Sequence, residues 1–460
     1  MMPSPALLLG LAAVLAPLST AHTVFTTLFV NDVSQGDGTC IRMPHNGNTC
    51  TFPIAGLDSP DMACGKDGQN AVAFSCPVPA GAKLTFEFRA WADKSNPGAI
   101  DASHKGSAAI YLKAVANMSD GAAAGAAGDG WFKLWAEGYD EAAQLWATDK
   151  LIANNGLLSV ALPPAGLADG YYLLRTEILT LQNVTNNVVS PQVFVGCAQL
   201  FVQGSSSAST SSEIPTVAIP GHLHAADPGL TLNIYQQPLK LPYVVAGPPA
   251  WIPPTTSNSK STSTKQQQNA ADNTPSDAVP ASCLLKNGNW CGYELPSYTT
   301  ETGCWDSAAN CWAQADACYK SAPPSGYAGC AAWSKRKCQV VADACSARAF
   351  VGPPAQGQKI VTGDPDVDGG VDAGVAKIPA AVNAVNAGAA VQQTVSVSVS
   401  VSVSVSVSAS ASASASASTT AAVVEASPGP AVVVVEPGSA SASTSDGCQQ
   451  PQRRRTRRRL

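Results

Sequence analysis

The residues best suited to chemistry are the five histidines, His22, His45, His104, His222 and His224. If an export leader ends at Ala21, His22 becomes the first residue of the mature chain and offers an amine nitrogen and an imidazole nitrogen. His104, in DASHKGSAAIYL, lies on a loop just before a predicted strand and offers a third nitrogen. Three nitrogens in a T-shaped plane suit Cu(II), which can displace the proton of an α-amino group of pKa about 7.7–8.0. Spacing alone also allows the alternative that two histidines about eighty residues apart are unrelated.

The remaining histidines have simpler interpretations. His222 and His224 alternate, so they could share a strand face and bind metal. The surrounding segment PGHLHAADPGL is more typical of a plain surface turn before a strand, and we favour that interpretation. His45, in MPHNGNT, is a loop residue with no partner in view.

Residues 1–21 predict secretion. An apolar run, Ala6–Leu15, is followed by small residues up to Ala21, which is the pattern of a secretory signal peptide cleaved after Ala21. No Lys or Arg precedes the run, although a signal peptide usually begins with a basic residue. The alternative is a membrane anchor, but the run is shorter than the roughly 20 residues that an anchor needs. Two N-glycosylation sequons, which begin at Asn117 and Asn183, agree with this route. We therefore expect a secreted, extracellular glycoprotein.

Residues 22–251 read as an all-β domain. Short apolar runs such as KLTFEFRAWAD, GYYLLRTEILTLQ and QVFVGCAQLFVQG alternate with turns that contain Gly, Pro, Asn and Asp. Many short strands punctuated in this way predict a β-sandwich with long loops. The whole chain has 27 Lys and Arg against 32 Asp and Glu, a balance that argues against nucleic acid as the main partner.

Residues 282–350 form a Cys-rich module. Eight of the 14 cysteines lie between positions 283 and 345, a density that suits an oxidising compartment. Two pairs are seven residues apart and can each share a helix face: Cys311 with Cys318, and Cys338 with Cys345. A zinc module is the alternative, but it needs close C-x-x-C ligand pairs and the sequence has none. We predict a small, disulfide-bonded, mostly helical module. Its aromatic residues could form a second sugar platform, although buried packing is the favoured interpretation: Trp290, Tyr293, Trp305 and Trp312.

Two segments lack the composition of a folded core. Residues 252–281 are rich in Ser, Thr, Pro and Gln and read as a flexible linker. Residues 351–460 read as a low-complexity tail that includes seven Val-Ser pairs and five Ala-Ser pairs. Their alternation is strand-like, but Ser cannot build a core, so we expect disorder. Six Arg near the end could touch an anionic wall or membrane, and a solvated tail is the favoured alternative.

Eleven stretches in chain order carry a family resemblance: HTVF, CIRMP, SPDMACG, CPVPAGAKLTFEF, DASHKG, GWFKLW, LIANNG, YYLLRTEI, SPQVFVGCAQL, DPGLTLNIYQ and GPPAW. Residues 22–251 thereby resemble the fungal lytic polysaccharide monooxygenases of auxiliary activity family nine, formerly glycoside hydrolase family sixty-one. The resemblance implies an immunoglobulin-like sandwich whose flat face carries copper in a histidine brace, with His22 supplying its amine and ring and His104 the second ring. It also implies an enzyme that oxidatively cleaves cellulose or another β-1,4-glucan at C1 or C4, using an external electron donor with oxygen or hydrogen peroxide. We expect the chain to be a monomer.

The chain departs from the family pattern beside the expected metal site. Gln192 matches a glutamine next to the metal ligands, but Phe194 stands where the family usually has an axial tyrosine and cannot ligate. Gln182 stands where the family usually has a histidine beside the oxygen site, and a neutral amide hydrogen-bonds but is no practical acid. Tyr243 resembles a substrate-binding tyrosine, with a core role as the alternative. These departures motivate a second hypothesis, a copper-binding or glucan-binding surface protein with weak turnover.

The cysteines of the first 200 residues also follow the resemblance in part. Relatives tend to carry cysteines where this chain has Ala108 and Ala147. The resemblance therefore implies that this chain lacks one disulfide of the family. Cys64 and Cys197 match the family's best-kept bridge, so we expect them to pair. For the remaining three we expect a short Cys40–Cys50 bridge, with Cys76 free or paired outside the domain.

Overall fold

The computed structural model describes residues 22–118, 125–205, 214–253, 275–364 and 367. The predicted signal peptide, most of the predicted linker and the Val-Ser and Ala-Ser tracts lie outside these residues. Among the described residues no helix is both long enough and apolar enough to span a bilayer.

Two sheets form the predicted sandwich. The four-stranded sheet has the order β2 (Val33–Ser34), β1 (Val24–Val30), β4 (Lys83–Arg89) and β9 (Leu157–Ala161). The six-stranded sheet has the order β14 (Val217–Ile219), β6 (Gly128–Glu137), β5 (Gly106–Val115), β10 (Gly170–Thr180), β13 (Gln192–Gln203) and β3 (Cys76–Pro79). All pairs are antiparallel except β13 with β3. The smaller elements are β7 (Tyr139–Asp140), β8 (Leu145–Trp146), α1 (Ala147–Ala153), β11 (Val184–Thr185), β12 (Val188–Val189) and α2 (Pro228–Thr231).

The period of the strands explains why the central strands are apolar at most positions. In β5, Ile110 and Leu112 belong to the core between the two sheets, whereas Ala109 and Tyr111 belong to a second cluster on the outer face of the six-stranded sheet. Loops and the 217–246 segment cover that outer face. Because successive side chains point to opposite faces, a strand covered on both sides needs apolar residues at nearly every position.

The sandwich also buries charge. Arg89 donates to both Asp37 carboxylate oxygens, at 2.5 and 2.8 Å, and to Glu87 at 2.7 Å. Burial alone would lower the pKa of Arg89, but the effect of the two carboxylates is larger, so the pKa lies above its usual value. The guanidinium therefore stays charged and ties β4 to the loop that follows β2.

The first two disulfides of the sandwich correct one prediction. Cys64 bonds to Cys197 as expected. Cys40 bonds to Cys76 rather than to Cys50, and Cys50 is itself disulfide-bonded, so the expected Cys40–Cys50 bridge and the free Cys76 are both wrong. The reason is β13: Cys76 pairs with Leu200, and the carbonyl of Cys40 accepts from the next residue on that strand, Gln199. Both cysteines therefore lie beside the same strand. The prediction failed because it relied on the short sequence distance between Cys40 and Cys50, which does not indicate such a long-range contact.

The Cys-rich module is helical and disulfide-bonded, as predicted. It contains β15 (Leu285–Asn287), β16 (Trp290–Gly292), α3 (Glu301–Ser321), α4 (Ala328–Trp333), a π-helical segment (Ser334–Cys338) and α5 (Gln339–Ser346). Three cysteines of α3 at seven-residue intervals bond to the returning helices in reverse order: Cys304–Cys345, Cys311–Cys338 and Cys318–Cys330. Cys283–Cys291 closes the hairpin.

The module packs directly against the sandwich. The Asn289 amide donates to the carbonyls of Gly38 (2.8 Å) and Ile41 (3.1 Å), and its oxygen accepts from the Cys40 amide (2.9 Å). Asp277, inside the segment that reads as a linker, accepts from Ser75 at 2.5 Å and from Tyr171 at 2.9 Å. The hairpin cysteines are part of the core of the sandwich. The two parts thus share an interface of hydrogen bonds and apolar contact.

Candidate metal centre

His22 is held at the beginning of the first strand by its neighbour. The Thr23 amide donates to the Thr51 carbonyl at 3.2 Å, and the Thr23 hydroxyl donates to the Ala99 carbonyl at 2.7 Å. The His22 ring stacks on Phe52, with ring centroids 4.5 Å apart and planes inclined by 21°. Its Nδ1 is buried, although the residue as a whole is half-buried. The imidazole therefore has a defined orientation at the surface of the sandwich.

His104 occupies the loop before β5, as predicted, and is 3% exposed. Its amide donates to the Asp101 carbonyl at 3.0 Å, and Ser103 Oγ lies 3.2 Å from its Nδ1. Its Nε2 is buried and has no hydrogen-bond partner within the described parts of the chain. The pKa of His104 lies below its usual value, because burial and the nearby His22 outweigh the opposite effects of Asp101 and Gln192. A neutral imidazole with an unused nitrogen is the form that ligates metals.

Helix α1 fixes the backbone around His104. Lys105, the next residue, forms an ion pair with Asp149, and the Gly106 amide donates to Thr148 Oγ1 at 3.1 Å. The Lys105 carbonyl accepts from the Leu181 amide at 2.9 Å. Both anchors on α1 lie in its first turn, so the start of the helix is joined to the loop of His104 by two polar contacts.

Gln182, Gln192 and Phe194 surround His104. Gln192 and Phe194 are two residues apart at the start of β13 and so lie on one face of the strand. The Phe194 ring is buried, with its centroid 6.1 Å from that of His104. Gln182 Nε2 donates to Gln192 Oε1 at 2.6 Å. Gln182 Oε1 is buried and makes no hydrogen bond to any described residue. The two glutamine amides are thus ordered next to the histidine by each other.

Tyr243 lies beneath this region, packed edge-on against Trp146 at 4.9 Å. Its hydroxyl donates to the Gly229 carbonyl at 3.0 Å, and burial raises its pKa to about 12. Its substrate contact stays a prediction. Two exposed aromatic residues next to the centre escaped the sequence reasoning: Phe52, stacked on His22, and Tyr235, whose hydroxyl donates to the Gln182 carbonyl at 3.1 Å. Tyr235 lies in LTLNIYQ, a stretch that the sequence predicted to be a strand, so its exposed position was not expected.

His222 is not on a surface turn, so that prediction was wrong. It is 4% exposed, with Nε2 3.0 Å from Glu177 Oε2 and its ring edge-on to Tyr111. Glu177 also pairs with Arg175 at 2.7 Å. Burial would raise the pKa of Glu177, but Arg175 and His222 hold it well below its usual value. A carboxylate buried under the outer face of the sheet requires such donors, and His222 is one of them. His224, by contrast, is exposed.

His22 and His104 offer nitrogen ligands for a small metal site. Within the described ranges no cluster of three or more His, Cys, Asp and Glu side chains is arranged to hold a metal. His22 and His104 nevertheless lie close enough to affect each other electrostatically, and His104 presents a buried nitrogen that makes no other bond. Two imidazoles, together with the amine that cleavage after Ala21 would expose on residue 22, would supply the three nitrogens that copper favours, so these residues fit a copper ion.

The comparisons with known proteins identify a family. Residues 22–243 match the family model described as Auxiliary Activity family 9 (formerly GH61). AA9 family lytic polysaccharide monooxygenase C of Aspergillus tamarii is 47% identical over 357 residues, which cover 77% of this chain and 93% of that protein. AA9 family lytic polysaccharide monooxygenase H of Botryotinia fuckeliana is 46% identical over 339 residues, covering 73% and 76%. The solved structure of CvAA9A is 32% identical with a TM-score of 0.43, covering 50% of this chain and 98% of that one.

Proposed function

The chain belongs to Auxiliary Activity family 9, a family of polysaccharide-oxidising monooxygenases, and we propose that it is a secreted copper enzyme that cleaves cellulose or a related β-1,4-glucan. His22 and His104 would hold one copper ion per chain. The observation that carries the proposal is the buried, unused Nε2 of His104 beside His22. When bound, copper would supply oxidation of a sugar C–H bond at C1 or C4, with electrons from an external donor and oxygen or hydrogen peroxide as co-substrate.

The protein's own residues would position the reaction at a surface. A chain inside a crystalline polymer cannot enter a deep pocket, so the oxidant must be presented on an exposed face. Phe52 and Tyr235 are exposed aromatic residues next to the two histidines and can pack on pyranose rings, and Tyr243 is a further candidate from the family resemblance. Gln192 and Gln182 orient each other beside His104. The Phe194 ring, which lies next to His104, would shield the proposed metal site.

Copper binding and product formation test this proposal together. Mass analysis of the secreted protein should show a chain that begins at His22, and copper titration should give one ion per chain. With ascorbate and cellulose, the copper-loaded protein should release oxidised oligosaccharides. A His104→Ala variant should lose most of its copper affinity, since it removes one of three ligands. A chain that begins elsewhere, or a loaded protein without oxidised products, would contradict the proposal.

The weak-turnover alternative has a specific observation in its favour. Gln182 donates to Gln192 through its amide, and an amide cannot deliver a proton to a reacting oxygen as an imidazolium can. If turnover is limited there, Gln182→His should raise the rate by about 10-fold or more while copper affinity stays within a few-fold. Gln182→Asn is the matched control and should give no gain. An unchanged rate in Gln182→His would show that this position does not limit turnover.

A further inference from the structure

Helix α3 carries two parallel rows of side chains. Cys304, Cys311 and Cys318 form the first row, and each is bonded to another part of the module. The residue after each of these cysteines is aromatic: Trp305, Trp312 and Tyr319. A step of one residue rotates a side chain by about 100°, so the aromatic row lies to the side of the buried cysteine row.

The two tryptophans of this row are exposed. Trp305 is 44% exposed and Trp312 42%, whereas Trp333 of the same module is fully buried. Within the described residues neither ring contacts another ring, and neither indole nitrogen donates a hydrogen bond. Two large exposed rings on one helix face mark a contact surface rather than packing. The favoured expectation of buried packing is therefore wrong for this pair and for Tyr293, which is 44% exposed, while Trp290 does pack edge-on against Trp333 at 5.7 Å.

The spacing of the row selects the ligand. Seven residues of helix advance about 10.5 Å and complete two turns to within roughly 20°, so successive rings point in nearly the same direction. This advance matches one disaccharide unit of an extended β-1,4-glucan, in which every second sugar presents the same face. The exposed Ala309 lies between the tryptophans and adds little bulk. Trp305 and Trp312 can therefore each stack on an equivalent pyranose ring. Tyr319, which is half-buried with its ring 5.7 Å from that of Tyr327, offers a smaller contact at the end of the row.

We propose that Trp305, Trp312 and Tyr319 form a binding platform for a single β-1,4-glucan chain, separate from the metal centre. The choice of polymer rests on the proposed function. The three rings carry no charge and the exposed Asp316 lies between Trp312 and Tyr319, which suits a neutral polysaccharide and not a phosphate-bearing or acidic one. Three disulfides and the Thr300 cap, whose Oγ1 accepts from the Gly303 amide at 3.2 Å, hold the helix rigid. A rigid platform loses little conformational entropy on binding.

Cellulose depletion assays with metal-free full-length secreted protein test the platform. Trp305→Ala/Trp312→Ala should weaken binding to microcrystalline cellulose by about 10-fold, since each lost ring contact is worth roughly a few-fold to 10-fold. Val340→Ala, an equally exposed residue on α5, should bind as the wild type does. Trp305→Tyr/Trp312→Tyr should retain most of the binding, because it keeps both ring faces. Equal affinity of the wild type and the double alanine variant would overturn the platform.

A second readout separates this platform from the proposed activity. Copper affinity and oxidation of soluble cello-oligosaccharides should be unchanged in the double alanine variant, because the platform lies outside the metal centre. If the wild type gives no oxidised products but the variant still loses cellulose binding, the platform stands and the monooxygenase proposal fails. Stronger binding of the wild type to amylose than to cellulose would contradict the match to an extended β-1,4 chain.

Discussion

The sandwich and the Cys-rich module achieve stability by different means. The core between the two sheets is built mainly from Phe, Leu, Ile and Val, and the sandwich around it also buries charged groups such as Arg89 and Glu177. The core of the module contains cysteines, alanines and a few aliphatic residues around two rings, Tyr298 and Trp333. A small unit buries a lower fraction of its surface than a large one, so apolar burial alone stabilises it weakly. Disulfides take that role in the module.

Removing one disulfide from each region is the strongest way to test this contrast. Cys311→Ala/Cys338→Ala and Cys64→Ala/Cys197→Ala should each lower the free energy of unfolding of their region by about 2–5 kcal/mol. The module should then lose its fold, whereas the sandwich should remain folded and melt at a lower temperature. Hydrogen exchange of α3 and thermal unfolding measure the two outcomes. Full protection of α3 in the module variant would refute the contrast.

The interface between the two regions should couple their unfolding. Asn289 makes three hydrogen bonds to the backbone of the sandwich, and Asn289→Ala leaves those groups unsatisfied. The expected loss is about 1–3 kcal/mol, so calorimetry should show the module melting before the sandwich instead of with it. Asn310→Ala is the control, because Asn310 is exposed and accepts from Gln314 on the same helix. A single transition in Asn289→Ala would mean that other contacts dominate.

Buried charge in the sandwich should appear as a pH dependence of stability. Burial lowers the pKa of His222 despite the opposing effect of Glu177. The unfolded chain takes up a proton near pH 6.5, but the folded protein does so only at lower pH. Stability should therefore fall as the pH drops from 7 to 5. Glu177, whose pKa is also lowered, contributes only below about pH 4.3.

His222→Gln isolates this effect, because His104, which also has a lowered pKa, is retained in every variant. Urea unfolding between pH 7 and pH 5 should show a flatter profile for His222→Gln than for the wild type. His224→Gln should keep the wild-type slope, since His224 is exposed two residues away. Equal slopes for all three proteins would exclude His222 as the source.

The parts of the fold that local period controls were predictable. Alternation of apolar residues indicated the sandwich, and seven-residue spacing of cysteines indicated the helices of the module. Contacts between distant segments leave no such period. Asp277 looked like linker because its neighbours are polar, yet it bonds to Ser75, some two hundred residues away. The Cys40–Cys76 bridge and the burial of His222 escaped for the same reason.

The candidate site was predictable only through the family resemblance. The spacing of His22 and His104 does not indicate that they lie close together. His22 precedes β1 and His104 precedes β5, and these two strands belong to different sheets. Exposure was equally hidden: Trp290 and Trp305 are the same residue type in one module, but only the latter faces solvent to a large extent. Local sequence fixes the side of a helix or strand on which a residue lies, whereas packing decides what covers it.

The smallest expected effect on stability concerns the support of His104 by α1. Asp149→Asn removes the ion pair with Lys105, which is partly exposed, so the free energy of unfolding should change by less than about 1 kcal/mol. Copper affinity should fall more clearly, by roughly 3- to 10-fold, because a freer loop must be ordered when His104 binds metal. Asp140→Asn is the matched control, since Asp140 pairs with Lys150 and not with the loop. Copper titration calorimetry with urea unfolding on the same samples separates the two quantities. A stability loss without a change in copper affinity would show that α1 supports the fold and not the metal centre.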